Sequence, residues 1–114
     1  MVLCLLAHGC GDEVRRSAEQ KSGGDATRGA LAFRKLGCGA CHASTEAAPT
    51  TRVGPSLRGL ARRTTLPGGL PHTPEQLLRW LRFPQQIVPT TAMPELGLSE
   101  AQARDLAAYL YTLE

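Results

Sequence analysis

Aromatic side chains are scarce in this chain of 114 residues, which holds two Phe, two Tyr and one Trp. A single domain of this length builds only a modest core, so an interior with few large rings is short of apolar volume. Methionine is scarcer still, with Met1 and Met93 the only two. The longest apolar run, Met1 to Ala7, falls far short of a membrane-spanning helix. Alternating apolar and polar residues, the mark of half-buried strands, are missing as well. The formal charge is only +3, and aromatic residues do not alternate with basic ones, so nothing points to nucleic acid. Cysteine and histidine are too few and too scattered for a zinc site, because beyond Cys38, Cys41 and His42 they are Cys4, Cys10, His8 and His72. A thioredoxin-type redox pair needs a βαβ setting that the sequence does not offer.

What is there is concentrated in five residues, Cys38-Gly39-Ala40-Cys41-His42. Cys-x-x-Cys-His is the attachment sequence for c-type haem. Two thiols three positions apart at the end of a helical turn reach the two porphyrin vinyl groups and form thioethers. The next residue, His42, is delivered to the iron as proximal ligand. Small Gly39 and Ala40 let the backbone lie close to the porphyrin edge. One buried haem also supplies the apolar volume that the side chains lack, so folding and haem attachment should be coupled.

Low-spin electron-transfer haems take Met or His opposite the proximal histidine. With Met1 at the start of the chain, Met93 is the methionine available. It sits in Thr90-Thr91-Ala92-Met93-Pro94-Glu95, an irregular stretch between two predicted helices, where Pro94 limits movement. The bland alternative is that Met93 fills a gap in the core. His72, in Leu70-Pro71-His72-Thr73-Pro74, is the competing ligand, although a histidine beside a proline turn usually faces solvent.

The chain divides into three. Residues 1–10 read as an export leader or the remnant of a lipoprotein-type signal. The run lacks the basic n-region of a complete secretory signal, and a start upstream of Met1 is one explanation. Cys10, after Leu5-Leu6-Ala7-His8-Gly9, resembles the acylated cysteine of a bacterial lipoprotein. Membrane anchoring by lipid at Cys10, simple cleavage and a disordered tail are the three readings, and the leader points out of the cytoplasm, to the periplasm or the outer face of the cytoplasmic membrane. Residues 11–24 are polar and carry Ser and Gly, which suggests a flexible tether. Residues 25–114 form the haem domain.

That domain reads as all-α, with about three main helices and long loops. Asp25 can cap a helix to about Leu36, with Gly29, Ala30 and Phe33 on one face and Gly37 as stop. Thr73-Pro74-Glu75-Gln76 is a capping-box pattern opening a stripe of Leu77, Leu78 and Leu81. Ser99-Glu100-Ala101-Gln102 repeats it, ahead of Ala103, Leu106, Ala107, Leu110 and Leu113. The punctuated stretch from Ala43 to Pro71 is too long for a bare loop in a compact domain, and reasonable when wrapped around a haem.

Taken together, Gly29-x3-Phe33, Cys38 to His42, Val53-Gly54-Pro55-Ser56-Leu57, and Ala92-Met93-Pro94 ahead of a helix with Tyr109 resemble a class I c-type cytochrome. More narrowly, Leu70 to Glu75, Trp80-Leu81-Arg82, Pro84-Gln85 and Gly97-Leu98-Ser99 are similar to the cytochrome domain fused to the copper subunit of some bacterial haem–copper oxidases. The cupredoxin and membrane helices of that subunit are missing, so the resemblance implies a free-standing relative. It further implies the small cytochrome c fold around one covalently bound haem c, with Gly29 and Phe33 packed on Tyr109. By the same resemblance the Pro55 carbonyl accepts the far-nitrogen proton of His42, and Arg63 and Trp80 meet the haem propionates. Trp80 also lies beside the apolar stripe and reads equally as a core aromatic.

Coordination by both His42 and Met93 leaves iron no open position, so the expected function is one-electron transfer in a respiratory chain and not catalysis. A thioether ligand and an apolar crevice should make the potential positive. The expected partners are redox proteins, namely an upstream quinol-oxidising complex and a terminal oxidase, met through weak, charge-steered contacts by a monomer. Arg52, Arg58, Arg62, Arg63, Arg79 and Arg82 cluster in the central third and read either as a solvated surface or as a docking rim. Two alternatives stay open: a haem subunit of a larger redox complex, and a haem enzyme or sensor with a displaceable Met93.

Overall fold

The computed structural model describes residues 9–44 and 53–114. Residues 1–8, with Cys4, and 45–52, with Arg52, lie outside the described residues. Among the described residues five helices follow one another: α1 (Gly9–Ser22), α2 (Ala26–Lys35), α3 (Pro74–Arg82), α4 (Pro84–Ile87) and α5 (Glu100–Leu110). Short 3-10 turns fall at Cys38–Ala40, Leu60–Arg62 and Pro67–Gly69. Among the described residues the only extended pairing is an isolated bridge between Thr65 and Pro71. The all-α expectation holds, and its three main helices are α2, α3 and α5.

Each of those helices begins where its capping residue allows. The Asp25 carboxylate accepts from the Arg28 backbone N–H at 2.8 Å, and that bond, together with the Arg28 charge, holds its pKa below the ordinary carboxylate value. Ser99 makes a full reciprocal capping box with Gln102, at 3.1 and 2.9 Å. Thr73 completes only one arm of its expected box, accepting from the Gln76 N–H at 3.2 Å. The Gln76 side-chain oxygen is buried with no partner, because its chain turns inward and does not reach back to the cap.

The frame of the molecule is the packing of α2 on α5, which is closest at Gly29. A Cβ there would lie 1.8 Å from the Asp105 carbonyl oxygen, so only hydrogen fits. One turn on, Phe33 meets Tyr109 edge to face with centroids 5.2 Å apart. Leu77, Leu78 and Leu81 of α3 are buried, as are Ala103, Leu106, Ala107 and Leu110 of α5. Together with Phe33, Leu60, Leu66 and Leu98 they form one core, with Met93, Cys38 and Leu36 packed at its margin.

The expected tether at 11–24 is a correction. Its residues belong largely to α1, which packs on α5. The apolar stripe is too thin to announce a helix, but Ala18 and Ser22, one turn apart, are buried at 2 % and 1 % exposure. Small side chains let the two helices approach closely. Arg104 of α5 then donates to the Ser22 carbonyl at 3.0 Å, and Lys21 lies 4.9 Å over the Tyr111 ring. No helix among the described residues is long and apolar enough to cross a membrane.

Candidate functional site

The haem-attachment sequence starts where α2 stops. Gly37 takes φ +76, and the chain winds once more, with Ala40 N–H donating to Gly37, and both Cys41 and His42 N–H donating to the Cys38 carbonyl, at 3.0, 3.2 and 3.0 Å. Cys38 is half-buried at the core margin and Cys41 is exposed, and neither forms a disulfide. Burial pushes the Cys38 thiol up.

His42 is fixed by the segment 53–57. The Gly54 N–H donates to the Cys41 carbonyl at 2.8 Å and the Leu57 N–H to the Ala43 carbonyl at 2.7 Å. This lays Pro55 against the imidazole, and His42 Nδ1 donates to the Pro55 carbonyl at 2.8 Å. A carbonyl only accepts, so the proton is on Nδ1 and the lone pair of neutral His42 is on Nε2. The ring also lies flush on Gly54, where a Cβ would sit 2.6 Å from His42 Cε1. A ring held on one nitrogen, with the other left as a bare donor pair, has the arrangement of a metal-ligating histidine. A cleft of about 470 Å³ opens beside it, lined by Phe33, Arg34, Gly39, Ala40 and Tyr109 among others. Met93 is not in its lining.

Met93 lies in the loop between α4 and α5, half-buried against the core. Its backbone is held from both sides. Its N–H donates to Thr91 Oγ1 at 3.2 Å, and its carbonyl accepts from Gln85 Nε2 at 2.6 Å. Further along, the Arg82 Nε donates to the Leu98 carbonyl at 3.1 Å, while the guanidinium lies 4.9 Å over the Phe83 ring. Gln85 and Arg82 thus pin the Met93 loop to α3 and α4. The sequence leaves Arg82 either on a solvated surface or in a docking rim, and its hydrogen bond to the Leu98 carbonyl makes it a strut of this loop. Gln85 drew notice only as half of the Pro84-Gln85 phrase.

Arg63 and His72 come together beside the His42 shelf. The exposed Arg63 guanidinium donates to the Ser56 carbonyl, one residue from Pro55. Its backbone carbonyl accepts from His72 Nδ1 at 2.8 Å. His72 is therefore not the solvent-facing side chain expected from its proline turn. It stacks on Tyr111 with centroids 5.3 Å apart and planes 12° from parallel, and its Nε2 is buried with no partner. Trp80 is buried on α3 at 9 % exposure but is not one of the side chains of the core cluster.

The residues present fit a haem. Among the described residues no group of three or more His, Cys, Asp or Glu side chains comes together. A single imidazole and a single thioether suit an iron that brings four equatorial ligands of its own.

Comparison with known proteins agrees. The cytochrome c family model matches residues 26–114. The chain is 34 % identical over 104 residues to a cytochrome c2 of Rhodopila globiformis, a match covering 80 % of this chain and 95 % of the relative. It is 34 % identical over 105 residues to a cytochrome c2 of Agrobacterium tumefaciens (strain II Chrys), covering 76 % of this chain and 90 % of the relative.

Proposed function

The chain belongs to the cytochrome c family, and from that premise we propose that it shuttles single electrons to a haem–copper terminal oxidase in a respiratory chain. At the coarser level it is a class I c-type cytochrome. It is an electron carrier with one covalently bound haem c, works with redox partner proteins, and is not an enzyme.

Cys38 and Cys41 would hold the haem by thioethers, and His42 and Met93 would be its axial ligands. The haem supplies a ferric–ferrous couple, and the chain supplies the ligand field and shields the group from water. The observation that carries this reading is the His42 imidazole, whose tautomer is set by Pro55 so that Nε2 is left as the donor. That bond also makes Nε2 more basic, while the Met93 thioether favours the ferrous state. Arg63 and Trp80 would meet the haem propionates. Residues 25–114 would be the cytochrome unit, with α1 docked on it.

The site of action would be the periplasm or the outer face of the cytoplasmic membrane. Cys10 is exposed in the first turn of α1. Acylation there would hold the domain close to the membrane through a docked helix, and mass spectrometry of the mature N-terminus decides between a lipid and an unmodified end. One acyl chain binds only marginally, so stable anchoring needs the further chains of a bacterial lipoprotein.

The choice of acceptor is tested by mixing the reduced protein with oxidase-containing membranes and following its oxidation. Arg58, Arg62, Arg63 and Arg79 are exposed and would steer it to an acidic face. The second-order rate should therefore fall as salt rises, since exposed charges are screened over about 10 Å at 0.1 M. A salt-independent rate would remove the steering argument. No turnover with any terminal oxidase of the source organism would reject the oxidase as acceptor.

A further inference from the structure

We propose that Gly68 is a positioning residue for the sixth ligand. The turn that carries it is a fixed backstop for Ile87 and Val88, and so keeps the Met93 loop closed over the iron. The inference rests on the His42–Met93 reading above and gives a role to a glycine far along the chain from Met93.

The turn is built to hold its shape. Pro67 takes its second position and Gly68 its third, with φ +76 and ψ +8, and the Gly69 N–H closes it on the Leu66 carbonyl at 3.2 Å. This is a type II turn, whose third position needs a positive φ and hence favours glycine. Its base is fixed as well. Leu66 is buried in the core, its N–H donates to the Leu70 carbonyl at 2.8 Å, and Thr65 pairs with Pro71.

The space beside Gly68, where a side chain would go, is filled by the end of α4. A Cβ there would lie 2.7 Å from Ile87 Cγ2 and 3.4 Å from Val88 Cγ2. The helix cannot back away, because Pro84 at its start is fully buried and the Val88 N–H donates to the Pro84 carbonyl at 2.9 Å. Beyond α4 the chain leads directly to the ligand. The Val88 carbonyl accepts from the Thr91 N–H at 3.0 Å, and Thr91 Oγ1 accepts from the Met93 N–H at 3.2 Å. With the turn and α4 both fixed, pressure on Ile87 and Val88 is relieved by movement of the more lightly held segment 88–93.

Gly69 supplies an internal comparison. It has the same φ of +76, yet a Cβ there would meet nothing within 4 Å. Alanine at either position carries the left-handed strain. Only at Gly68 does it also press on Ile87.

The test titrates haem-loaded ferric protein with imidazole, a nitrogen donor that takes the sixth position when Met93 leaves it. Its apparent affinity rises with the fraction of molecules whose loop is open. Gly68→Ala should bind imidazole at least about fivefold more tightly than Gly69→Ala, the lower end of what an overpacked contact does, and its sulfur-to-iron band should be weaker. Adding Ile87→Ala removes the methyl that the new Cβ meets, so the double variant should bind imidazole more weakly than Gly68→Ala. If Gly68→Ala does not retain haem, Ile87→Ala alone still reads the contact, because a loop without its backstop should bind imidazole more tightly than wild type. Equal binding by Gly68→Ala and Gly69→Ala, a double variant as tight as Gly68→Ala, or Ile87→Ala indistinguishable from wild type would overturn the proposal and leave the electron-carrier reading standing. Wild-type protein with no sulfur-to-iron band would instead remove the reading on which it rests.

Discussion

The two sides of the haem site are held by different kinds of bond. On the His42 side the turn is closed by backbone hydrogen bonds within four residues, and the segment 53–57 adds three more contacts to it. On the Met93 side the loop hangs from a few side chains: Thr91, two residues away, Gln85, eight away, and Arg82, which reaches across 16 residues to Leu98. The first arrangement is redundant, with several mostly backbone bonds converging on one turn. The second depends on single side-chain bonds, each worth only about 0.5–1.5 kcal/mol net. Damage should therefore spread differently on the two sides, with the His42 side failing as a unit and the Met93 side loosening one strut at a time.

The largest expected effect comes from breaking the His42 side at its root. Cys38→Ala with Cys41→Ala should abolish covalent haem and leave the domain largely unfolded, as read by acid–acetone extraction and circular dichroism. A folded, haem-free domain would show that the protein core suffices without the cofactor.

Gly54→Ala is the next step down. Its Cβ would intrude to 2.6 Å of His42 Cε1, so the ring or the 53–57 segment must move, at a cost of about 1–3 kcal/mol. The Pro55 bond should weaken, and with it the basicity of His42. Ferric iron then loses donor strength, and the potential should rise in a redox titration with the sulfur-to-iron band retained.

Gln85→Ala probes the other side more gently. Losing the 2.6 Å bond to the Met93 carbonyl should cost about 0.5–1.5 kcal/mol. It should show as loss of the sulfur-to-iron band at lower denaturant than in wild type, ahead of global unfolding. If the band and the fold were lost together, as in wild type, the claim that the Met93 side opens separately would be wrong.

The smallest effect lies away from both ligands, at the start of α2. Asp25 has its folded pKa lowered by the Arg28 N–H, so its capping contribution is complete above the ordinary carboxylate pKa. It is lost as pH falls through the lowered value. Amide exchange at Arg28 should accelerate only in acid, and in Asp25→Ala it should be fast at neutral pH as well.

The same contrast explains what was legible in the sequence. Asp25, Thr73 and Ser99 mark the starts of α2, α3 and α5 because a cap acts within three residues. The spacing from Cys38 to His42 carries its chemistry in one turn. Gly29 and Phe33 were legible as one face of a helix through periodicity, and their partner Tyr109 only through a family likeness. By contrast α1 went unread, since its buried face is Ala18 and Ser22, small residues that gain meaning only against α5. The roles of Arg82 and Gln85 were hidden for a similar reason, because an arginine in a basic stretch gives no sign that its Nε meets a carbonyl 16 residues on. The buried Nε2 of His72 depends on Arg63 and Tyr111, and no local pattern contains all three.

The central claim is that His42 and Met93 together close the iron. It is tested most directly by the weak sulfur-to-iron charge-transfer band of the ferric protein, recorded in wild type and in Met93→Ala. The account predicts a band in wild type, its loss in the variant, and carbon monoxide binding by the reduced variant at neutral pH. A band that persists in Met93→Ala, or is missing from wild type, would contradict it.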